Sequence, residues 1–312
     1  MAQGYLHSKT TIELEIVGEG YFENLAMHCF FQDFDKDVKD GKIIRCKMHD
    51  IVHDLAQFMT WNECFAMVAN GDQGLGIDCK NARHLLLTVT QDIHVTLSNS
   101  KNTRTFLLGD SNIVVSNLLN MTCVQELCLK CCSIKELLNE VGNLIHLRYL
   151  NLSHSTLEEL PESICNLCNL QTLDVRACHK FKKLPQGLGK LINLRHLIFE
   201  FIYLMCPKGI GRLSSLITLT QFSIGGCRDN EWCKLGELKI LNHLQGDLLI
   251  EKLRHVDVYE AENAQLKKKK HLHNLRIRFS GMFDKNRIEN DVLVLNALEP
   301  PPDLEYLEIY GY

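Results

Sequence analysis

The sequence predicts an α/β protein: stacked repeats over residues 82–312 form a solenoid, and a small, mostly α-helical module over residues 1–69 precedes them. The main observation is an x-Leu-x-Leu-like core that recurs at steps of 21, 21, 23 and 23 residues, beginning at His84, Thr105, Glu126, Tyr149 and Thr172. Further copies follow at steps of 24, 22, 29, 27 and 32 residues, centred on Leu197, Leu219, Leu248, Leu275 and Leu307. Such a period is typical of a repeat array, in which neighbouring units bury the apolar side chains that one unit cannot.

The segments between the central cores are also nearly periodic. They read LEELPESICNLCNL at 157–170, FKKLPQGLGKLINL at 181–194 and CPKGIGRLSSL at 206–216. This pattern is the signature of a leucine-rich repeat, in which a short strand is followed by a convex-side segment. The triplets Ile164/Leu167/Leu170 and Leu188/Leu191/Leu194 are expected to close the far wall of the core. We therefore expect a horseshoe of ten units, truncated at its C-terminal end.

Fourteen cysteines raise the question of disulfides or metal. The N-terminus lacks a basic start and an apolar stretch, so it does not read as a secretory signal, and reduced thiols are expected. Cys132, Ser155 and Cys178 each fall where the repeat satisfies backbone groups at the turn. The pairs Cys128/Cys131 and Cys165/Cys168 have the spacing of zinc ligands, but the repeats explain these positions without a metal.

Charge and hydropathy limit the classes of partner. The chain has 34 Lys/Arg and 38 Asp/Glu, a formal charge of −4, so no global attraction to nucleic acid or membrane is expected. The longest apolar stretch, 197–205, is interrupted by Glu200 and falls short of the ~20 residues that a membrane helix needs. The basic block 267–270 follows DVYEAENAQL, which predicts lysines at the C-terminal end of a helix, where its dipole favours them. Neither a nucleic-acid nor a membrane partner is predicted.

Residues 1–69 have a different composition, with 6 Lys/Arg against 11 Asp/Glu, a net charge of −5. Apolar residues after Gly20 recur at helical spacing, and two apolar stretches, 31–34 and 43–48, flank a polar loop that indicates a hairpin. A second helix is predicted from Asp50. Its buried face is expected to contain Ile51, Val52, Leu55, Phe58 and Met59. The order helix, hairpin, helix is compatible with part of a winged helix. A glycine-containing linker is predicted to follow over residues 70–81.

The second helix begins with a possible metal motif. His49 and His53 lie four residues apart in His-Asp-x-x-His, one substitution from the zinc-protease motif His-Glu-x-x-His. However, Asp is one methylene shorter than Glu, and the sequence offers no identifiable third ligand. Two capping or surface histidines are the preferred interpretation, and a metal-dependent enzyme remains only an alternative.

The stretch KMHDIVHDLAQF at 47–58, preceded by GEGYFENLAMHCFFQDF at 18–34, resembles the winged-helix end of plant disease-resistance receptors of the coiled-coil, nucleotide-binding, leucine-rich-repeat class. The similarity continues through GELKILNHLQGDLLIEKLRHV at 236–256 and ALEPPPDLEYLEIYGY at 297–312. It implies a role in innate immunity and assigns Met48, His49 and Asp50 to the motif that senses nucleotide, with His49 on the β-phosphate of ADP. Intact members bind ADP or ATP.

This sequence contains no Gly-x-x-x-x-Gly-Lys-Ser/Thr phosphate loop. His49 by itself offers only a small part of a nucleotide site. No cofactor, no tight ADP binding and no ATP hydrolysis are therefore expected of this chain.

The strands should expose the residues beside and between their inward-facing positions on a concave sheet. That row includes Glu126, Cys128, Lys130, Tyr149, Asn151, Ser153, Thr172, Asp174, Arg176, His196, Ile198, Glu200, Asn274, Arg276, Arg278, Tyr306, Glu308 and Tyr310. A mixed polar, aromatic and charged row suits protein recognition better than catalysis.

We therefore expect a cytoplasmic binding module, with a nuclear location as an alternative. Its partner would be a pathogen effector, a guarded host protein or the nucleotide-binding domain of a related receptor. The second hypothesis is a free-standing adaptor, decoy or inert relic without nucleotide control.

Overall fold

A computed structural model describes residues 2–6, 13–37, 41, 43–69, 75–89, 94–109, 114–116, 120–200, 204–225, 230–279 and 288–311. Its helices are α1 (Glu13–Met27), α2 (Asp50–Met59), α3 (Val258–Asn263) and α4 (Ile288–Ala297). Its strands are β1 (Phe31–Lys36), β2 (Ile43–Met48), β3 (Cys64–Ala69), β4 (Leu75–Asp78), β5 (His84–Val89), β6 (His94–Ser98), β7 (Thr105–Leu108), β8 (Val114–Ser116), β9 (Glu126–Cys128), β10 (Tyr149–Asn151), β11 (Thr172–Asp174), β12 (His196–Ile198), β13 (Thr218–Leu219), β14 (Gln221–Ser223), β15 (Gln245–Glu251), β16 (His271–Arg278) and β17 (Tyr306–Tyr310).

The N-terminal module has the predicted order of helix, hairpin and helix. β1 and β2 pair antiparallel, with Phe31 opposite Met48. The ring of Phe22 on α1 stacks on that of Phe31, with centroids 5.2 Å apart, which joins α1 to the hairpin. α2 begins directly after the hairpin because His49 is its N-cap, with an extended backbone and a ring nitrogen that accepts from the amide of Ile51.

The prediction that one face of α2 is buried is wrong. Ile51 and Phe58 are 74% and 82% exposed, Leu55 and Met59 are also exposed, and Val52 is half-buried. An apolar face at helical spacing requires a partner surface to cover it. Among the residues that the structure describes, no element packs over this face closely enough to bury it.

The repeats form parallel sheets in which consecutive units lie side by side. One sheet has the order β13-β12-β11-β10-β9-β7-β5-β3, a second has β14-β15-β16-β17, and a third has β4-β6-β8. The register aligns the inward leucines, for example Leu150 with Leu173 and Leu173 with Leu197. Each of these side chains is fully buried, which confirms the repeat cores predicted from the sequence.

The convex side is closed by short 3₁₀ turns. Pro161 precedes one of them and its carbonyl accepts from the amide of Ile164, which starts the turn. The two predicted triplets, Ile164/Leu167/Leu170 and Leu188/Leu191/Leu194, are completely buried there. Strands on one side and apolar turns on the other therefore enclose a continuous core.

Two boundaries differ from the prediction. β3 pairs in register with β5, so residues 64–69 belong to the sheet of the repeats and not, as their composition had predicted, to the first module. The predicted linker over 70–81 contains β4, which pairs with β6. Extended backbone at a sheet edge completes its hydrogen bonds by pairing with the neighbouring strand.

The main sheet also breaks after β13, which the regular leucine spacing did not predict. The hydroxyl of Thr220 accepts from the amide of Phe199 at 2.9 Å and donates to the carbonyl of Phe199 at 2.5 Å. At this point these side-chain hydrogen bonds take the place of the backbone hydrogen bonds that join neighbouring strands. β14 then starts the second sheet by pairing with β15.

The basic block 267–270 does not lie at the end of a helix, so this prediction is wrong. α3 ends at Asn263, and Lys267 and Lys268 belong to a separate 3₁₀ turn. Lys269 is fully buried, and its ammonium donates to the carbonyl of Leu238 at 2.7 Å. Burial lowers the pKa of Lys269 to about 8. The described part of the chain contains no helix with the length and hydropathy of a membrane span.

Candidate protein-recognition surface and switch motif

The strands of the main sheet place the predicted recognition residues in register. Glu126, Tyr149, Thr172 and His196 lie side by side on β9 to β12. Glu126, Tyr149 and His196 are half-buried, whereas Lys130 and Glu200 are exposed. This row therefore presents carboxylate, phenol, imidazole and ammonium groups along one surface.

Asn151 and Asp174 belong to the predicted row, but they are 8% and 2% exposed. The side chain of Asn151 donates to the hydroxyl of Tyr149 at 3.1 Å and accepts from the amide of Ser153 at 2.9 Å. It therefore holds Tyr149 in position and offers little surface of its own.

Asp174 holds Arg176 in the same way. Its carboxylate accepts from the backbone amide of Arg176 at 3.0 Å and from the guanidinium at 2.7 Å. The hydrogen bond to Asp174 raises the pKa of Arg176, whose side chain is 49% exposed. The structure thus presents a fixed cation at this point of the sheet, because the charge that orients it is buried.

The second sheet carries another group of predicted residues on β16 and β17. The guanidinium of Arg278 lies 5.2 Å from the ring centroid of Tyr310 and donates to the carboxylate of Glu251 at 2.6 Å. Arg276 is half-buried and lies opposite Glu308. Tyr306 is 50% exposed. Arginine and tyrosine are among the residue types enriched at the energetic hot spots of protein interfaces.

A buried polar network, which the sequence pattern did not predict, supports this second group. The carboxylate of Glu251, 1% exposed, accepts from the amide of Gln221 at 2.6 Å and from the hydroxyl of Ser223 at 3.1 Å. The sequence signal was that Gln221 and Ser223 occupy alternate positions of a short strand, with only Phe222 between them. Glu251 therefore fixes Arg278 as Asp174 fixes Arg176.

Glu308 accepts hydrogen bonds from the phenols of Tyr306 and Tyr310, and these bonds raise the pKa of both phenols. The three side chains lie at alternate positions of β17, on the same face of the strand. The resulting surface is a carboxylate flanked by two aromatic rings.

Part of the main-sheet row is covered by the N-terminal segment, a contact that the sequence pattern did not predict. The amide of Gln3 donates to the hydroxyl of Thr105 at 2.6 Å, and Arg148 donates to the carbonyl of Ala2 at 3.4 Å. Glu15 on α1 pairs with Arg195. The only sequence signal was the acidic surplus of residues 1–69.

The Glu15 contact also reaches a predicted recognition residue. The Nε2 atom of His196 lies 3.3 Å from the carboxylate of Glu15. Burial alone would raise the pKa of Glu15, but the hydrogen bonds with His196 and Arg195 outweigh it and lower the pKa to about 2. The structure therefore places the carboxylate of Glu15, on α1, against the imidazole of His196.

The Met48-His49-Asp50 motif lies where the hairpin meets α2. The amide of His49 donates to the carbonyl of Phe30 at 2.9 Å, and its Nδ1 accepts from the amide of Ile51 at 3.4 Å. A neutral imidazole that accepts at Nδ1 carries its proton on Nε2, which remains available as a donor. Met48 is 41% exposed, and the carboxylate of Asp50 accepts from Gln32 at 3.3 Å.

The side chains of Cys132, Ser155 and Cys178 bond to the backbone at the turns that follow the strands. The thiol of Cys178 donates to the carbonyl of Leu152 at 3.1 Å, that of Cys132 to the carbonyl of Lys130 at 3.5 Å, and Ser155 accepts from the amide of Leu157 at 3.4 Å. These contacts confirm the predicted structural role. Within the described ranges, no three His, Cys, Asp or Glu side chains are grouped as metal ligands.

Family models match most of the chain. The model described as a leucine-rich repeat region matches residues 103–312, and the model described as a disease resistance protein winged helix domain matches residues 1–56.

Curated relatives match along the whole chain. Putative disease resistance protein RGA4 of Solanum bulbocastanum is 34% identical over an alignment that covers 100% of this chain and 29% of the relative. Disease resistance protein RGA2 of the same species is 34% identical, covering 100% of this chain and 30% of the relative. This chain therefore spans less than a third of the length of these relatives.

Among solved structures, the crystal structure of PEPR1–AtPEP1 is similar to this chain with a TM-score of 0.50. It is 16% identical, and the match covers 79% of this chain and 38% of that one. At this identity the similarity shows the fold, a leucine-rich-repeat solenoid.

Proposed function

Because the chain belongs to the leucine-rich-repeat disease-resistance proteins of plants, we propose that its concave face recognises a protein, either a pathogen effector or a guarded host protein. The observation that carries this proposal is the set of surface arginines held by buried carboxylates, Arg176 by Asp174 and Arg278 by Glu251. Fixed cations lose little conformational entropy on binding, which favours specific recognition. The structure of PEPR1–AtPEP1 has the same fold.

Site-specific photo-crosslinking tests the proposal. A photoreactive residue at Arg276, on the concave face of β16, is compared with one at Ile192, which is 58% exposed on the convex side. Extracts of infected and healthy leaves supply effectors and host proteins, respectively. We expect a discrete crosslinked protein from position 276, none from position 192, and loss of the product with Tyr306→Ala. Equal crosslinking at both positions, or a product at position 192 alone, contradicts the proposal.

We further propose that Met48, His49 and Asp50 are the part of a nucleotide switch that this chain contributes to a complete site. Three features support this role: the motif lies at the start of α2, its imidazole keeps a donor on Nε2, and helix amides favour phosphate at the same place. The exposed apolar face of α2 supports packing against a nucleotide-binding domain of a related receptor. The chain by itself holds no nucleotide tightly, because it lacks a phosphate loop.

Calorimetry with ADP tests the switch. The chain alone should show no binding tighter than about 1 mM, equivalent to roughly 4 kcal/mol. Mixed with the nucleotide-binding domain of RGA2, the chain should slow ADP release, and His49→Ala should abolish this effect. His53→Ala is the matched control, because His53 is an exposed histidine on the same helix. If His49→Ala and His53→Ala have the same effect on ADP release, or if the unmodified chain does not change ADP release, His49 is not a sensor.

A further inference from the structure

The first repeats contain a duplicated basic tetrapeptide. Lys80-Asn81-Ala82-Arg83 and Lys101-Asn102-Thr103-Arg104 share the pattern Lys-Asn-x-Arg at a spacing of 21 residues, which equals the local repeat period. The two copies therefore occupy equivalent positions in adjacent units. The equivalent residues of the next unit are Thr122 to Gln125 and carry no charge.

Hydrogen bonds hold the two copies in register. The amide of Arg104 donates to the carbonyl of Arg83 at 2.7 Å, and the hydroxyl of Thr103 donates to the carbonyl of Ala82 at 3.1 Å. β5 and β7, which follow the two copies, pair in parallel. Neighbouring strands lie about 4.8 Å apart, so equivalent side chains of the two copies are stacked.

Burial of the third position turns the charged residues outward. Ala82 and Thr103 are 2% and 0% exposed, and the residues just before each copy, Cys79 and Ser100, are also buried. The flanking side chains therefore face solvent. Lys80, Asn81, Arg83, Lys101 and Asn102 are exposed, and Arg104 is half-buried.

These residues line two neighbouring surface depressions. One, of about 570 Å³, contains Lys80, Arg83 and Arg104, and the other, of about 620 Å³, contains Lys80 and Lys101. Lys80 and Asn102 line both. The remaining lining is mostly polar, with the amides of Asn62, Asn81, Asn99 and Asn120 among it.

The cations of this patch outnumber its anions. The residues that line the two depressions include four cations, Lys80, Arg83, Lys101 and Arg104, and one carboxylate, Glu63. Glu63 lies 3.5 Å from Arg83. Among the residues that the structure describes, no carboxylate forms an ion pair with Lys80, Lys101 or Arg104. Two unit charges about 5 Å apart repel by roughly 1 kcal/mol even in water, so an anion bound here would relieve this repulsion.

We propose that the two Lys-Asn-x-Arg copies form a binding site for a compact phosphorylated small molecule with two or more phosphates. Guanidinium groups bind phosphate oxygens in bidentate fashion, lysine adds point charge, and the asparagine amides are further donors. The lining of the first depression includes no large apolar side chain, which a peptide partner would need as an anchor. The two depressions are lined by none of the proposed recognition residues and by no part of the Met48-His49-Asp50 motif, although the carbonyl of Arg104 accepts from the amide of Glu126. The site goes beyond the proposed function.

Calorimetry of the full 312-residue chain with inorganic tripolyphosphate at low ionic strength tests the proposal. The chain should bind tripolyphosphate, and Lys80→Gln/Lys101→Gln should weaken binding by at least about tenfold, or roughly 1.4 kcal/mol. The matched control is Lys268→Gln/Lys270→Gln, which removes the same charge from two exposed positions of the other basic block. The control should leave the affinity nearly unchanged.

Glu63→Gln provides a variant whose expected effect cannot arise from misfolding. It removes the carboxylate beside Arg83 and should tighten binding about threefold, the effect of one exposed ion pair. Absence of binding by the unmodified chain overturns the proposal. So does an equal loss in both double lysine variants, which would show that only overall charge matters. If a single-stranded oligothymidylate binds more tightly than tripolyphosphate and displaces it, the site is for nucleic acid and the proposal is wrong.

Discussion

The N-terminal module and the repeats contain similar apolar side chains, yet they differ in how these side chains are covered. In the repeats, Leu150, Leu173 and Leu197 are completely buried. Among the described residues that precede Ile77, none is buried, and α2 exposes Phe58 almost entirely. The difference shows that amphipathic spacing gives a helix or strand its apolar face, whereas a neighbouring element must bury it. In the repeats, each unit supplies that neighbour for the next one.

The largest expected effect tests this comparison with one truncation in each region. Leu173→Ala should destabilise the chain by about 3 kcal/mol, because it leaves a cavity between two stacked units. Phe58→Ala should change stability by less than about 0.5 kcal/mol, because the ring is 82% exposed. Urea unfolding followed by circular dichroism measures both. A loss at Phe58 as large as that at Leu173 would show that α2 is covered in solution.

A pair of glycine variants sharpens the comparison at the backbone. Gly189 lies on the convex side, where an added Cβ would collide with the carbonyl oxygen of Gly209 in the next unit. Gly189→Ala should cost about 2 kcal/mol, since the units must separate to accommodate the methyl group. Gly20 lies inside α1, with no heavy atom within 4 Å of such a Cβ. Gly20→Ala should raise stability by up to about 1 kcal/mol through helix propensity. Thermal unfolding of both variants tests this contrast, and destabilisation by Gly20→Ala would contradict it.

Two lysines should give opposite pH dependence in the two regions. Burial lowers the pKa of Lys269 to about 8, below its unfolded value of 10.5, so the unfolded chain binds more protons between these values. The contribution of Lys269 to the free energy of unfolding therefore rises with pH across this window, by about 2 kcal/mol. A hydrogen bond to Asp33 raises the pKa of exposed Lys47, so its contribution is present below pH 10.5 and is lost as pH rises further.

Urea midpoints measured from pH 7.5 to 11 for the unmodified chain, Lys269→Met and Lys47→Met test these signs. Lys269→Met should remove the rise between about pH 8 and 10.5, the interval set by the lowered pKa. Lys47→Met should leave that rise intact. An unchanged profile in Lys269→Met would mean that its ammonium reaches solvent.

The smallest expected effect concerns one of the contacts that join the two regions. Glu15→Gln removes the charge that pairs with Arg195 and should weaken the attachment of α1 to the main sheet by about 1 kcal/mol. Hydrogen exchange of α1 at pH 6 should then be about fivefold faster. Glu19→Gln is the control, because Glu19 is exposed on the same helix. Since the pKa of Glu15 is about 2, the difference in exchange rate between the unmodified chain and Glu15→Gln should be present at pH 6. It should disappear as the pH drops from 4.5 through 2, because Glu15 then becomes protonated.

Several parts of the fold and of the candidate site could be predicted from residue spacing alone. The leucine period gave the strand register, and the stretches around the 31–48 loop gave the hairpin. The row of concave residues was also located, because alternation along a strand fixes which side chains share a face. Their burial was not predictable in the same way. Asn151 and Asp174 occupy strand positions at which the alternation predicts exposed side chains. Both are nevertheless buried, because their side chains accept hydrogen bonds from the backbone of the turn that follows.

The sequence by itself determined the repeat architecture, because periodic apolar residues can be buried only by stacking equivalent units. It also determined the positions of the motif Met48-His49-Asp50 and of the arginines on the strands. Only the tertiary structure decided that Lys269 is buried and that Glu15 reaches Arg195. These outcomes depend on residues brought together from distant positions, or on the side toward which a turn directs its side chains. Local spacing carries no information about either until the chain has packed.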